Sequence, residues 1–181
     1  MNRQTLKILL VLFAGFFAAC IDSRPPKITK VMDGPIDLPA RQGFINDYAR
    51  VIDESTKQEL ESELLAFKEK TNVDFVLVIV NSKDGFSIED HSMAIAKQWC
   101  LECRSDGSGE ILIDIAMQEG EFRRNVSAPL WSALPDDEIA RLSSSLEQSF
   151  SRQEYSDGLS KIVRSVMNRV LSHHREANSN A

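Results

Sequence analysis

Val73-Asp74-Phe75-Val76-Leu77-Val78-Ile79-Val80 is nearly all apolar and rich in β-branched residues. A strand with one face in water alternates apolar and polar positions, and this stretch does not. It reads as a central strand covered on both faces, with helices supplying the cover. Just before it, Leu60, Leu64 and Phe67 recur at helical spacing while Glu61, Glu63, Lys68 and Lys70 fall mainly outside that stripe. Ser55-Thr56-Lys57-Gln58 has the form of a capping box, so a helix of about four turns is expected from Ser55 to Thr71-Asn72.

Beyond the strand, Asn81 to Gly85 is a turn, and Ser87 caps a second helix with Ile88, Ala94, Ile95 and Trp99 facing inward. His91 is expected at an exposed position on it. Glu110 to Ala116 forms the next strand, with Ile111, Ile113 and Ile115 alternating against Leu112 and Asp114. Glu119-Gly120 turns the chain into a hairpin partner, Glu121 to Ser127. Pro135-Asp136-Asp137-Glu138 opens a third helix with acids where the dipole favours them, and its apolar stripe is Ile139, Leu142, Leu146 and Phe150. A fourth helix follows Tyr155-Ser156-Asp157-Gly158, and the polar tail after His173 is expected to fray. These elements predict an α/β chain, a three-layer α/β/α sandwich with a small mixed β-sheet flanked by about four helices.

Residues 1–19 have the form of a bacterial secretory leader: Arg3 and Lys7, an apolar run from Ile8 to Phe17, then Ala18-Ala19 before Cys20. The run is shorter than the roughly 20 apolar residues of a spanning helix. Cys20 is therefore expected to be acylated and to begin the mature chain on a membrane surface. Ile21 stands where inner-membrane lipoproteins often carry Asp, which favours the outer membrane, with the domain facing the periplasm. Residues 20–42, with Pro25-Pro26, Pro35 and Pro39, read as an extended spacer, residues 43–172 as the folded domain and 173–181 as a polar tail.

Losing Arg3 and Lys7 lowers the basic residues from 21 to 19 against 27 acids, a net charge of −8 for the mature chain. Such a surface repels nucleic-acid backbone, so no nucleic-acid partner is expected. No internal repeat is found. Cys100 and Cys103 are then the remaining thiols, in an oxidising compartment. Their spacing admits a local disulfide, two reduced thiols, or a redox pair; thioredoxin-like motifs open a helix, whereas this one closes one. A zinc site lacks ligands beyond His91.

Five segments in register resemble the TPM domain family: Gly43 to Ile52, Asp84 to Asp90, Trp99, Asp106 to Ile113, and Tyr155 to Leu159. The resemblance covers residues 43–172. It implies an α/β/α sandwich in an extracytoplasmic, often membrane-tethered protein. It also implies links to divalent-metal binding, to phosphatase activity in some members, and to envelope or photosystem maintenance. One segment departs from the family pattern. A Gly-rich turn with a glutamate is replaced here by Ser127-Ala128-Pro129-Leu130-Trp131-Ser132-Ala133, so the backbone freedom and the acid of that turn are gone.

Asp47, Asp106 and Asp136 lie in loops bordering the sheet, in segments matching family motifs that carry acids, and are the candidate ligands for Ca²⁺ or Mg²⁺. Each also has an ordinary local role: an Asx-turn for Asp47, a turn for Asp106, an N-cap for Asp136. No Gly-x-Ser-x-Gly, His-Glu-x-x-His or P-loop occurs. A phosphatase-like hydrolase would rest on metal-bound water and carboxylates. His173-His174 suit a helix C-terminus. Leu130-Trp131 either folds Trp131 down as core, the expected outcome, or presents an anchor for an envelope protein partner or for lipid. The primary expectation is a lipid-anchored accessory or interaction module without enzymatic activity; the alternative is the metal-dependent hydrolase.

Overall fold

The computed structural model describes residues 39–101 and 109–179. The apolar stretch at its centre is strand β2 (Asp74–Val80), with every residue buried. Around it, in chain order, stand β1 (Ile45–Asp47), α1 (Glu54–Thr71), α2 (Ile88–Gln98), β3 (Glu110–Ala116), β4 (Glu121–Val126), a 3₁₀ turn (Ala128–Leu130), α3 (Asp136–Ser151) and α4 (Tyr155–Ser179). The sheet order is β1-β2-β3-β4. β1, β2 and β3 run parallel, and β4 returns antiparallel to β3. The small mixed sheet lies between helices, as the sequence predicted, with β1 as a fourth strand beyond the three expected.

Strand alternation divides the core in two. Ile45, Phe75, Leu77, Ile79, Ile111, Ile113 and Ile115 face α1, α3 and α4. Val76, Val78, Val80, Leu112 and Ala116 face α2. Each fully buried Leu, Ile or Val contributes about 1.5–3 kcal/mol of transfer free energy, so the larger face dominates the stability. Because β1, β2 and β3 are parallel neighbours in sequence order while α1 and α2 cover opposite faces, the two crossovers have opposite hands. Parallel crossovers are otherwise right-handed in about 98% of cases. The chain leaving β1 turns to one face and the chain leaving β2 to the other, so the carboxyl ends of these strands form a topological switch point.

Four local details differ from the sequence reading. β1 is a three-residue strand, too short to show a period. α1 is capped by Asp53, whose carboxylate accepts from the Thr56 N–H at 2.8 Å; Ser55 lies inside the helix and donates to Asp53 at 2.6 Å. Gln58 bonds Glu54 instead of reaching back to the cap. A carboxylate in extended backbone takes several donors at once, which holds Asp53 well below the ordinary aspartate range through Ser55, Thr56 and Ser156. α4 also continues past His173 to Ser179.

Candidate functional site

Asp47 ends β1, at this switch point. Its Oδ2 accepts the Ile52 N–H at 2.8 Å, while Oδ1 is buried with no hydrogen-bond partner among the described residues. Asp136 lies elsewhere. It opens α3, a helix that reaches the carboxyl end of the sheet only at its other end, where Leu146 and Phe150 meet Ala116 and Phe122. Asp136 is thus near the amino ends of the parallel strands, fully in water, and paired with Arg124 of β4. Three strand spacings, about 14 Å, separate β1 from β4 in addition. Asp106 lies outside the described residues. Among the described residues no three His, Cys, Asp or Glu side chains gather as a metal site. The described members of the Asp47, Asp106 and Asp136 set therefore do not fit one shared ion, and no catalytic step is derived through it.

Cys100 is disulfide-bonded and takes a left-handed backbone, φ 53°. Cys20 and Cys103 both lie outside the described residues.

The segment that replaces the Gly-rich turn splits its two large side chains. Leu130 is buried, 3% exposed, against Gly109 at the start of β3; a Cβ on Gly109 would stand 2.6 Å from Leu130 Cδ1. Leu130 is therefore core and offers no side-chain surface to a partner. Trp131 does the opposite. It is 64% exposed, contrary to the expectation of core, because the 3₁₀ turn spends its inward position on Leu130. Its indole N–H donates to the Val126 carbonyl at 2.9 Å and so fixes the ring at the end of β4.

β4 is an edge strand, and a groove of about 650 Å³ runs along it, lined by Met93, Phe122, Arg123, Arg124, Trp131 and Ile139 among others. Met93 is 65% exposed. The arginines are held by carboxylates on the flanking helices: Arg123 donates to Glu89 at 3.2 Å and Arg124 to Asp136.

Beneath this groove lies a polar pair that the sequence reading missed. His91 is 3% exposed and Asp114 is fully buried. His91 Nδ1 is 2.7 Å from Asp114 Oδ2, while Asp114 Oδ1 has no partner among the described residues. Burial pushes the Asp114 carboxyl up despite the hydrogen bond and charge of His91. Beside them Asn125 donates to the buried Ser92 hydroxyl at 3.0 Å. His91 had a readable signal, since it lies on the Ile88–Ile95 stripe at spacings of three and four. Toward the C-terminal end of α4, His173 Nε2 meets the Ser132 hydroxyl at 2.8 Å in an exposed position.

Comparison with known proteins agrees with this architecture. The TPM domain profile matches residues 45–169, and the chain belongs to the TPM domain family. The N-terminal domain of a P. gingivalis protein, solved by NMR, is 21% identical with a TM-score of 0.62, covering 70% of this chain and 81% of that one. The BA42 protein of the psychrophilic bacterium Bizionia argentinensis is 10% identical with a TM-score of 0.56, covering 67% of this chain and 82% of that one. At these identities the likeness concerns the fold. Comparison with curated proteins gives no match. Among the described residues no helix is long and apolar enough to cross a membrane.

Proposed function

We propose that this TPM-domain protein is a lipid-anchored accessory module of the bacterial envelope that acts by binding a protein partner. The observation that carries the interaction reading is Trp131. A large aromatic side chain is held in water by a hydrogen bond to the edge strand, beside exposed Met93 and along an open groove. Fixed aromatic side chains that lose little freedom on contact are the usual anchors of protein interfaces. The tethering reading rests on the leader ending at Cys20. Acylation there would hold the domain on a membrane, facing the periplasm, with the outer membrane favoured by Ile21. The metal-dependent phosphatase is not carried by Asp47 and Asp136, which stand at different edges of the sheet.

Two measurements test this. Palmitate labelling of the expressed full chain should be lost in Cys20→Ala; labelling that persists removes the anchor. A photo-reactive residue placed at position 131 should cross-link an envelope protein more strongly than one placed at Glu69 on α1. Equal yields at the two positions remove the interaction surface.

A further inference from the structure

The backbone of β4 shows how such a partner would be held. The Ser127 N–H bonds the Glu110 carbonyl, so in the antiparallel ladder Asn125, Arg123 and Glu121 also exchange their bonds with β3. The N–H and C=O of Phe122, Arg124 and Val126 then point away from the sheet. Trp131 covers the Val126 carbonyl. No hydrogen bond among the described residues meets the N–H or C=O of Phe122 or Arg124. These groups open into the groove that Met93 and Trp131 line.

Edge strands are commonly blunted by proline, a bulge, lysine or a covering segment. β4 contains no proline and no lysine, and its register to β3 runs without a bulge from Glu121 to Val126. Its charges are Glu121 at the start, held by Lys83, and Arg123 and Arg124 in the middle, and the arginines select among strands that could pair with it. A second copy pairing antiparallel along the whole of β4 would set Arg124 opposite Arg124, and a shift by one pair of positions would set Arg123 opposite Arg123. Like charges directly opposite destabilise a strand pair. The arginines instead complement a strand bearing carboxylates. Their present partners, Glu89 and Asp136, are exposed side chains that such a strand can displace without burying either.

We infer that β4 is a strand-addition site for an extended segment of a partner protein, one that alternates acidic and apolar residues. The segment's backbone bonds Phe122 and Arg124; its carboxylates meet Arg123 on the α2 side or Arg124 on the α3 side, since neighbouring side chains of β4 point to opposite faces, and its apolar side chains cover Trp131 or Met93 on the other face. This mode rests on the interaction-module reading and specifies its partner chemistry.

The test uses the full chain in detergent micelles with two synthetic probes, an extended peptide alternating Val and Glu and one alternating Val and Lys. The Val-Glu peptide is expected to slow backbone hydrogen exchange across residues 121–127 and the Val-Lys peptide is not. Arg124→Pro deletes an outward N–H and no ladder bond to β3, and should weaken Val-Glu binding about ten-fold or more. The pair Arg123→Glu and Arg124→Glu should reverse the preference towards Val-Lys, and decides the matter alone if the proline variant does not fold. Equal binding of the two peptides, binding unchanged by Arg124→Pro in folded protein, or protection of 121–127 by self-association without peptide overturns strand addition. Cross-linking from position 131 to an envelope protein, with no peptide protection of β4, overturns the strand mode alone; loss of both removes the interaction module too.

Discussion

His91 and Asp114 meet at 2.7 Å between α2 and β3, with neither side chain more than 3% exposed. Two polar groups have thus been placed inside the smaller of the two cores, where Val78 and Leu112 are neighbours. A carboxylate in such a place is disfavoured unless its oxygens are satisfied, and Asp114 Oδ1 has no partner among the described residues.

The pH dependence follows from the raised carboxyl of Asp114. The protonated form is favoured in the folded state, so its contribution is complete below the ordinary aspartate value of 3.8 and is lost as pH rises through the higher folded value. Asp114→Asn should flatten this part of the profile, and urea midpoints across that pH window should fall less steeply than in the parent. A profile unchanged by the substitution would contradict the assignment.

Asp74 works in the other direction. Burial alone would raise it, but the hydrogen bond and charge of Arg41, with Lys68 beside it, outweigh burial and hold it below the ordinary value. Its contribution is present above 3.8 and is lost as pH falls through the lower folded value. Arg41→Ala removes two bonds to Asp74 at 3.0 and 3.2 Å and one to the Gly43 carbonyl at 3.0 Å, and should cost about 1–3 kcal/mol near neutral pH, measured by denaturant unfolding. The cost should shrink on acidification.

Leu130 and Trp131 are chain neighbours with opposite environments, and truncating each should separate them. Leu130→Ala leaves a core cavity and should cost about 2–5 kcal/mol. Trp131→Ala should cost about 1 kcal/mol or less, since it gives up one exposed hydrogen bond. Comparable losses in unfolding experiments would mean that Trp131 is part of the core after all.

Gly109 and Leu130 should be coupled. Gly109→Ala places a methyl group 2.6 Å from Leu130 Cδ1, overpacking of the kind that costs about 1–3 kcal/mol. In a double-mutant cycle the Gly109→Ala penalty should largely vanish in the Leu130→Ala background. Additive losses would show that the two positions do not share space.

The parts of the fold that announced themselves were those with many residues obeying one period. β2 carries seven consecutive buried positions, and α3 and α4 repeat their apolar stripes over several turns. β1 was illegible because three residues define no period, and its place is set by pairing with Leu77, Val78 and Ile79 far along the chain. The α1 cap was misread because serine with a glutamine three residues on imitates a capping box, while the aspartate before it had the stronger acceptor. His91 was misjudged through its chemistry. Its position on the α2 stripe was apolar, and only a second buried polar residue, Asp114 two strands away from β1, makes that placement tolerable. The edge site depends on sheet order, which no local pattern encodes.

The unlike winding of the two crossovers removes internal symmetry from the first half of the domain. A βα unit copied in tandem keeps its sense of rotation and would lay both helices on the same side. Here α1 and α2 lie on different sides, so the two units are not rotated images of one another. Their sequences accordingly show no repeat, and neither unit is carried onto the other by a step along the sheet.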